Sequence, residues 1–223
     1  MWCRWVSVAC VATGVLVVAG CSGGGPDFVA KDEPWRKDSE IACLQSGWVR
    51  ESGFVTSRTS LGGPSPCGAV HPFEVSALGS GAVELKPSAT LQCAMIPSLE
   101  RWMYEVANPA ARMYFGMGLA KLTVAASYSC RAINGIRGGK LSEHGHANAI
   151  DISAFTLVDG RTITVKSGWN GNERERAFLR SVHRGACGQF TTVLGPAANR
   201  YHRDHFHFDL AKHGRNGDHR VCE

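Results

Sequence analysis

His202-Arg203-Asp204-His205-Phe206-His207-Phe208-Asp209-Leu210 lies close to the C-terminus of this 223-residue chain. From His205 to Leu210 polar and apolar side chains alternate, the period-two pattern of a half-buried strand. His205 and His207 then point to one side while Phe206 and Phe208 point into a core. Two imidazoles on one strand face aim into one cleft, and imidazole is a common metal donor.

The segments around this strand complete an α+β reading. Lys121 to Cys130 reads as a strand, and Ala149–Phe155 and Arg161–Val165 read as two more, joined at Asp159-Gly160, a hairpin signal. Ser98 to Ala107 has Leu99, Trp102, Met103 and Val106 at helical spacing, with Ser98 placed as N-cap. Asn108-Pro109 restarts or kinks that helix, which runs on to about Phe115. Glu173 to Ala186 is a second helix, with Gly188 as its expected cap. The expected fold is a small antiparallel sheet with helices packed on one face.

The N-terminus reads as an export signal. One positive charge, Arg4, precedes an apolar run from Trp5 to Ala19 that is short for a membrane span. Val18-Ala19-Gly20-Cys21 has the pattern of a lipobox, which makes residues 1–20 a lipoprotein signal peptide and Cys21 the acylated residue. Residues 21–40, opening Cys21-Ser22-Gly23-Gly24-Gly25-Pro26, are expected to be a flexible tether, and residues 41–223 one domain. The mature protein is expected on the periplasmic side of a membrane, the outer one in a diderm cell. Removing the signal takes away Arg4 alone among charged residues, so the formal charge falls from +5 to +4. No basic cluster with interleaved aromatics appears, and nucleic acid is excluded as a partner on that ground.

Of nine cysteines, Cys3 and Cys10 leave with the signal and Cys21 is assigned to lipid. Cys43, Cys67, Cys93, Cys130, Cys187 and Cys222 remain, an even set that implies three disulfides in an oxidising compartment. A zinc–thiolate cluster is disfavoured because no Cys-x-x-Cys pair occurs. Fifteen pairings are open.

Ser142-Glu143-His144-Gly145-His146-Ala147-Asn148-Ala149-Ile150-Asp151 is the second histidine segment. Asp151, between two isoleucines of a strand, needs solvent or a partner, because a buried unpaired carboxylate costs several kcal/mol. The small residues between His144 and Asp151 let the loop fold back over the strand. Two histidines and one carboxylate with an open fourth position form a common catalytic zinc set.

The pattern Ser-x-His-x-x-x-x-x-x-Asp followed by His-x-His resembles the LAS group of zinc D,D-peptidases, which includes D-Ala-D-Ala carboxypeptidases and murein endopeptidases. Tyr128-Ser129-Cys130-Arg131, Ser142-Glu143-His144, Asn148–Ile152, Gly185-Ala186-Cys187-Gly188 and Asp204–Asp209 resemble more closely the bacterial extensin-like C-terminal family, over about residues 42–222. The peptidase resemblance implies one Zn2+ held by His144, Asp151 and His207, with Arg131 meeting a substrate carboxylate. It leaves the general base open among His205, Asp204 and His202, with His205 favoured because it shares a face with His207. Its implied activity is hydrolysis of peptidoglycan stem peptides or their cross-links. The competing expectations are a non-catalytic metal- or wall-binding lipoprotein on the same fold, and a purely structural disulfide domain. The resemblance departs at Ala147, where those peptidases carry glycine; alanine is tolerable unless the backbone needs positive φ.

The remaining histidines carry less. His146 reads as a loop-surface residue, and His183, His213 and His219 read as solvated. Trp169 reads as core or loop packing ahead of a cleft residue. No Gly-x-Ser-x-Gly and no lone reactive cysteine supports a covalent nucleophile. Oligomeric state is not legible.

Overall fold

The structure, a computed structural model, describes residues 28–62 and 66–223. The signal peptide and the lipidation residue Cys21 lie outside the described residues. No helix among the described residues is long and apolar enough to cross a membrane.

The sheet is larger than expected and mixed. Its strands are β1 (Val55–Ser57), β2 (Phe73–Leu78), β3 (Val83–Leu91), β4 (Leu119–Ala126), β5 (Ala149–Leu157), β6 (Thr162–Thr164), β7 (Thr192–Leu194), β8 (Phe206–Asp209) and β9 (Val221–Cys222). The order across it is β9-β7-β8-β5-β4-β3-β2-β1, with β6 paired to β5 beyond β8. The pairs β3–β4 and β7–β9 are parallel, and the others are antiparallel. The expected small antiparallel sheet is therefore one part of a wider one.

Helices cover one face. The helix from Met95 begins three residues ahead of Ser98, which does not cap it. It continues without interruption through a π turn at Met103–Ala107 and on through Asn108–Phe115. Pro109 has no N–H to offer and its ring crowds the carbonyl four residues back, so the ladder widens one turn ahead instead of restarting. Asn108 is itself helical, and its side chain accepts from the Leu119 backbone at 2.9 Å. Glu173–Ala186 is a helix with Asn172 as N-cap; it ends through Cys187 in right-handed geometry, without the glycine turn expected at Gly188.

Alternation in β8 divides apolar from polar chemistry. Phe206 and Phe208 are fully buried under the helices, with Phe208 edge-on to Trp102 at 5.1 Å between ring centres. In β5, Ile150 and Ile152 face the same core. The register then shifts at Ser153, so that Phe155 and Leu157 continue the apolar face. Asp151, His207 and Asp209 are consequently left on the opposite face, away from this apolar core.

Three disulfides close the fold: Cys43–Cys93, Cys67–Cys130 and Cys187–Cys222. Folded structure begins ahead of residue 41. Phe28–Val29 pairs in parallel with Gly139–Lys140, and α1 (Trp35–Ser46) buries Glu40, whose carboxylate accepts from the Val70 and His71 backbones at 2.9 Å each. The stretch 28–40, expected as tether, is thus attached to the domain.

Candidate metal centre

The sheet supplies two donors and a loop supplies the third. Asp151 and His207 are direct partners across the β5–β8 ladder, so their side chains stand side by side. His144 comes from a short 3-10 turn, Glu143–His146, whose N-cap Ser142 accepts from the His144 backbone. The turn ends at Ala147 with φ 52° and ψ 24°, the left-handed conformation in which glycine is at ease. The chain thereby doubles back over β5. A Cβ at Gly145 inside this turn would come within 2.7 Å of the Leu141 side chain, so a larger residue there would require Leu141 to shift.

Three donor groups converge. His144 Nε2 lies 3.2 Å from His207 Nδ1 and 3.2 Å from Asp151 Oδ2, and His207 Nδ1 lies 2.9 Å from Asp151 Oδ1. Tetrahedral coordination with bonds near 2.0–2.1 Å separates neighbouring donors by about 3.3–3.4 Å. Each imidazole thus meets one oxygen of the Asp151 carboxylate at close to that separation, and one ligand atom from each of the three residues lies within 4.8 Å of the others.

The outer nitrogens fix which atoms face inward. His144 Nδ1 lies 2.5 Å from the Ser127 carbonyl, and His207 Nε2 lies 2.9 Å from Asp209 Oδ2. Both acceptors demand N–H, which leaves the lone pairs of His144 Nε2 and His207 Nδ1 turned toward the Asp151 carboxylate. Two lone pairs and a carboxylate at such spacing require positive charge between them. Without a metal a proton fills that need. Burial alone would raise Asp151, yet hydrogen bonds to His144 and His207 hold it far below the usual carboxylate range. Burial alone would lower His207, yet Asp151 and Asp209 raise it well above a free imidazole. A divalent cation satisfies the same donors, and the donor set suits zinc.

The cluster forms the floor of a cavity of about 390 Å³, within the range of small-ligand sites. His205 lines it, with Nε2 3.7 Å from Asp151 Oδ2 and Nδ1 2.9 Å from Asp204 Oδ1. Asp204 does not line the cavity; its side chain is 61% exposed and touches the site only through His205. His202 is buried on the cavity wall, and its Nδ1 meets Asn199 Oδ1 at 2.9 Å. That oxygen also accepts from the Tyr201 backbone, so His202 Nδ1 carries the hydrogen and Nε2 a lone pair. Burial, then the positive charge of the neighbouring His207, pushes His202 down to about 4. Arg131 lines the cavity half-exposed, with Nη2 3.9 Å from Asp151 Oδ2.

Several residues depart from the sequence reading. His183 is buried rather than solvated, packed on Trp169 and Phe206, and its Nε2 has no hydrogen-bond partner. His213 is half-buried on the cavity wall, with Nε2 2.6 Å from Thr192 Oγ1. His146 is half-buried beside Arg36, away from the donor cluster. Trp169 is in the core. Asp209 was overlooked, although period-two counting from His207 puts it on the same face. The Ser127 carbonyl left no signal, because backbone acceptors have none.

Comparison with known proteins gives one family match: the model described as Extensin-like protein C-terminus covers residues 41–223. No curated protein and no solved structure matches the chain. With most of its length matched, the chain belongs to the Extensin-like protein C-terminus family.

Proposed function

We propose that the protein is a zinc-dependent hydrolase of peptidoglycan stem peptides or their cross-links, lipid-anchored through Cys21 at the cell envelope and related to the LAS D,D-peptidases. The observation that carries the reading is the convergence of His144 Nε2, Asp151 and His207 Nδ1 with both outer nitrogens already tied to acceptors. Zinc there would polarise a scissile carbonyl and lower the pKa of water.

The surrounding residues supply the rest of the chemistry. Asp204 fixes the His205 tautomer, leaving Nε2 free to take a proton from water and return it to the departing amine. His202, neutral at physiological pH, adds a second proton acceptor on the wall. Arg131 presents a guanidinium at the cavity that can hold a peptide carboxylate. The three disulfides suit an oxidising compartment outside the cytoplasm.

Digestion of purified murein sacculi tests the proposal, with and without chelator and beside a His144→Ala variant. The expected result is a changed muropeptide profile that both chelator and the variant abolish. Zinc demonstrably bound with an unchanged profile would sink the hydrolase reading and leave a metal- or wall-binding protein.

A further inference from the structure

We propose that Arg36 is a positioning residue for this metal centre, holding His144 in place through Glu143; the inference rests on the zinc reading above. Arg36 sits on α1, ahead of residues 41–223 that match the family model. Its fork grips one carboxylate with both arms, Nη1 at 2.5 Å from Glu143 Oε2 and Nη2 at 2.6 Å from Oε1. Such bidentate pairing fixes direction as well as distance. The two side chains are 18% and 14% exposed, so water competes weakly for them. Arg36 is itself steadied by Glu33, which its Nε reaches at 2.8 Å.

Glu143 is adjacent to His144, and it ties the two ends of the ligand turn together. Its carboxylate accepts from Asn148 Nδ2 at 2.6 Å, and its carbonyl accepts from the Asn148 backbone at 3.0 Å. Asn148 Oδ1 in turn accepts from Gln92 on the sheet side. The ligand turn needs such bracing more than the other two donors do. Asp151 and His207 are locked by ladder pairing, whereas His144 rides on four residues of 3-10 helix ending in a left-handed alanine. A second attachment runs parallel to the first: the Leu141 backbone donates to the Val29 carbonyl at 2.9 Å. The Gln92 and Ser129 backbones hold the turn from the sheet side by donating to the Ala147 and His144 carbonyls at 2.8 and 3.1 Å, and the N-terminal segment braces from the other side the one ligand that is not itself on a strand.

The test is Zn2+ affinity, measured on the full-length chain in detergent by competition with a chromophoric chelator, with circular dichroism as a check on folding. Arg36→Ala is expected to weaken Zn2+ binding several-fold, less than the about 10–100-fold typical of losing a direct hydrogen-bond partner of a ligand, because Arg36 acts one residue removed from His144. Arg36→Lys is expected to recover part of the loss, since one ammonium cannot engage both oxygens as the fork does. In a Glu143→Ala background, Arg36→Ala is expected to cost nothing more, because its route to His144 is already cut. Wild-type affinity in Arg36→Ala, or a full further loss in the Glu143→Ala background, overturns the inference while leaving the metal centre standing. A wild-type chain that binds no Zn2+ overturns the proposed function and this inference with it.

Discussion

Asp209 accepts from Nε2 of His207 at 2.9 Å, two residues along the same strand and on the same face. Its other oxygen accepts from the Ala211 backbone at 2.9 Å, so the carboxylate is itself held. This relationship selects the His207 tautomer. Asp209→Asn offers the ring nitrogen a weaker, uncharged acceptor. Zn2+ affinity is expected to fall about 10–100-fold with the fold intact. An unchanged titration against a competing chelator would show that Asp209 is structural only.

His205→Ala separates metal binding from turnover. His205 stands outside the donor triangle, so the zinc stoichiometry of the purified variant should stay at the wild-type value. Hydrolysis of murein peptides should fall about 10²–10⁴-fold, the usual contribution of a positioned acid–base group. Retained turnover would move the role to His202.

Ala147 and Ala149 are both fully buried, but only Ala147 is left-handed. Replacing either by glycine removes a buried methyl, about 0.8 kcal/mol, and adds a similar entropic cost from the unfolded chain. At Ala147 the substitution also relieves about 1–2 kcal/mol of backbone strain. Ala147→Gly should therefore be nearly neutral, while Ala149→Gly destabilises by about 1–2 kcal/mol. Equal losses in denaturant unfolding would refute the strain argument.

His183 gives the folded protein an acid-sensitive term. Burial lowers its pKa below the ordinary 6.5 of the unfolded chain. The unfolded state thus binds the proton more readily, and stability is lost as pH falls from about 6.5 toward the folded-state value. His183→Leu removes the titration and an unpaired buried nitrogen together. The variant's stability relative to wild type should rise on acidification through that window. A difference that stays flat from neutral pH to pH 5 would exclude His183 as a source of acid sensitivity.

What the sequence disclosed follows from which forces are local. Alternation in His205–Leu210 and the Asp159-Gly160 turn were readable because strand period and turn chemistry reside in adjacent residues. β1, β2 and β3 went unread: Phe73–Leu78 does alternate, but Pro87 interrupts β3 with no N–H to donate, a mark against a central strand. The π turn before Pro109 and the burial of His183 depend on what packs against them, which no local pattern records. At the candidate metal centre the two imidazoles and the Asp151 carboxylate were visible as residue types. The Ser127 carbonyl and the Arg36–Glu143 fork were not: one is backbone, and the other joins residues 107 apart.

β8 carries the phenylalanine core on one side and the candidate ligand His207 with Asp209 on the other. A slip of one residue in its pairing would push an imidazole and a carboxylate under the helices and expose two phenyl rings to water. Misregistered chains are thus heavily penalised whether or not a metal binds. The polar groups that would do the chemistry also act as proofreaders of the fold.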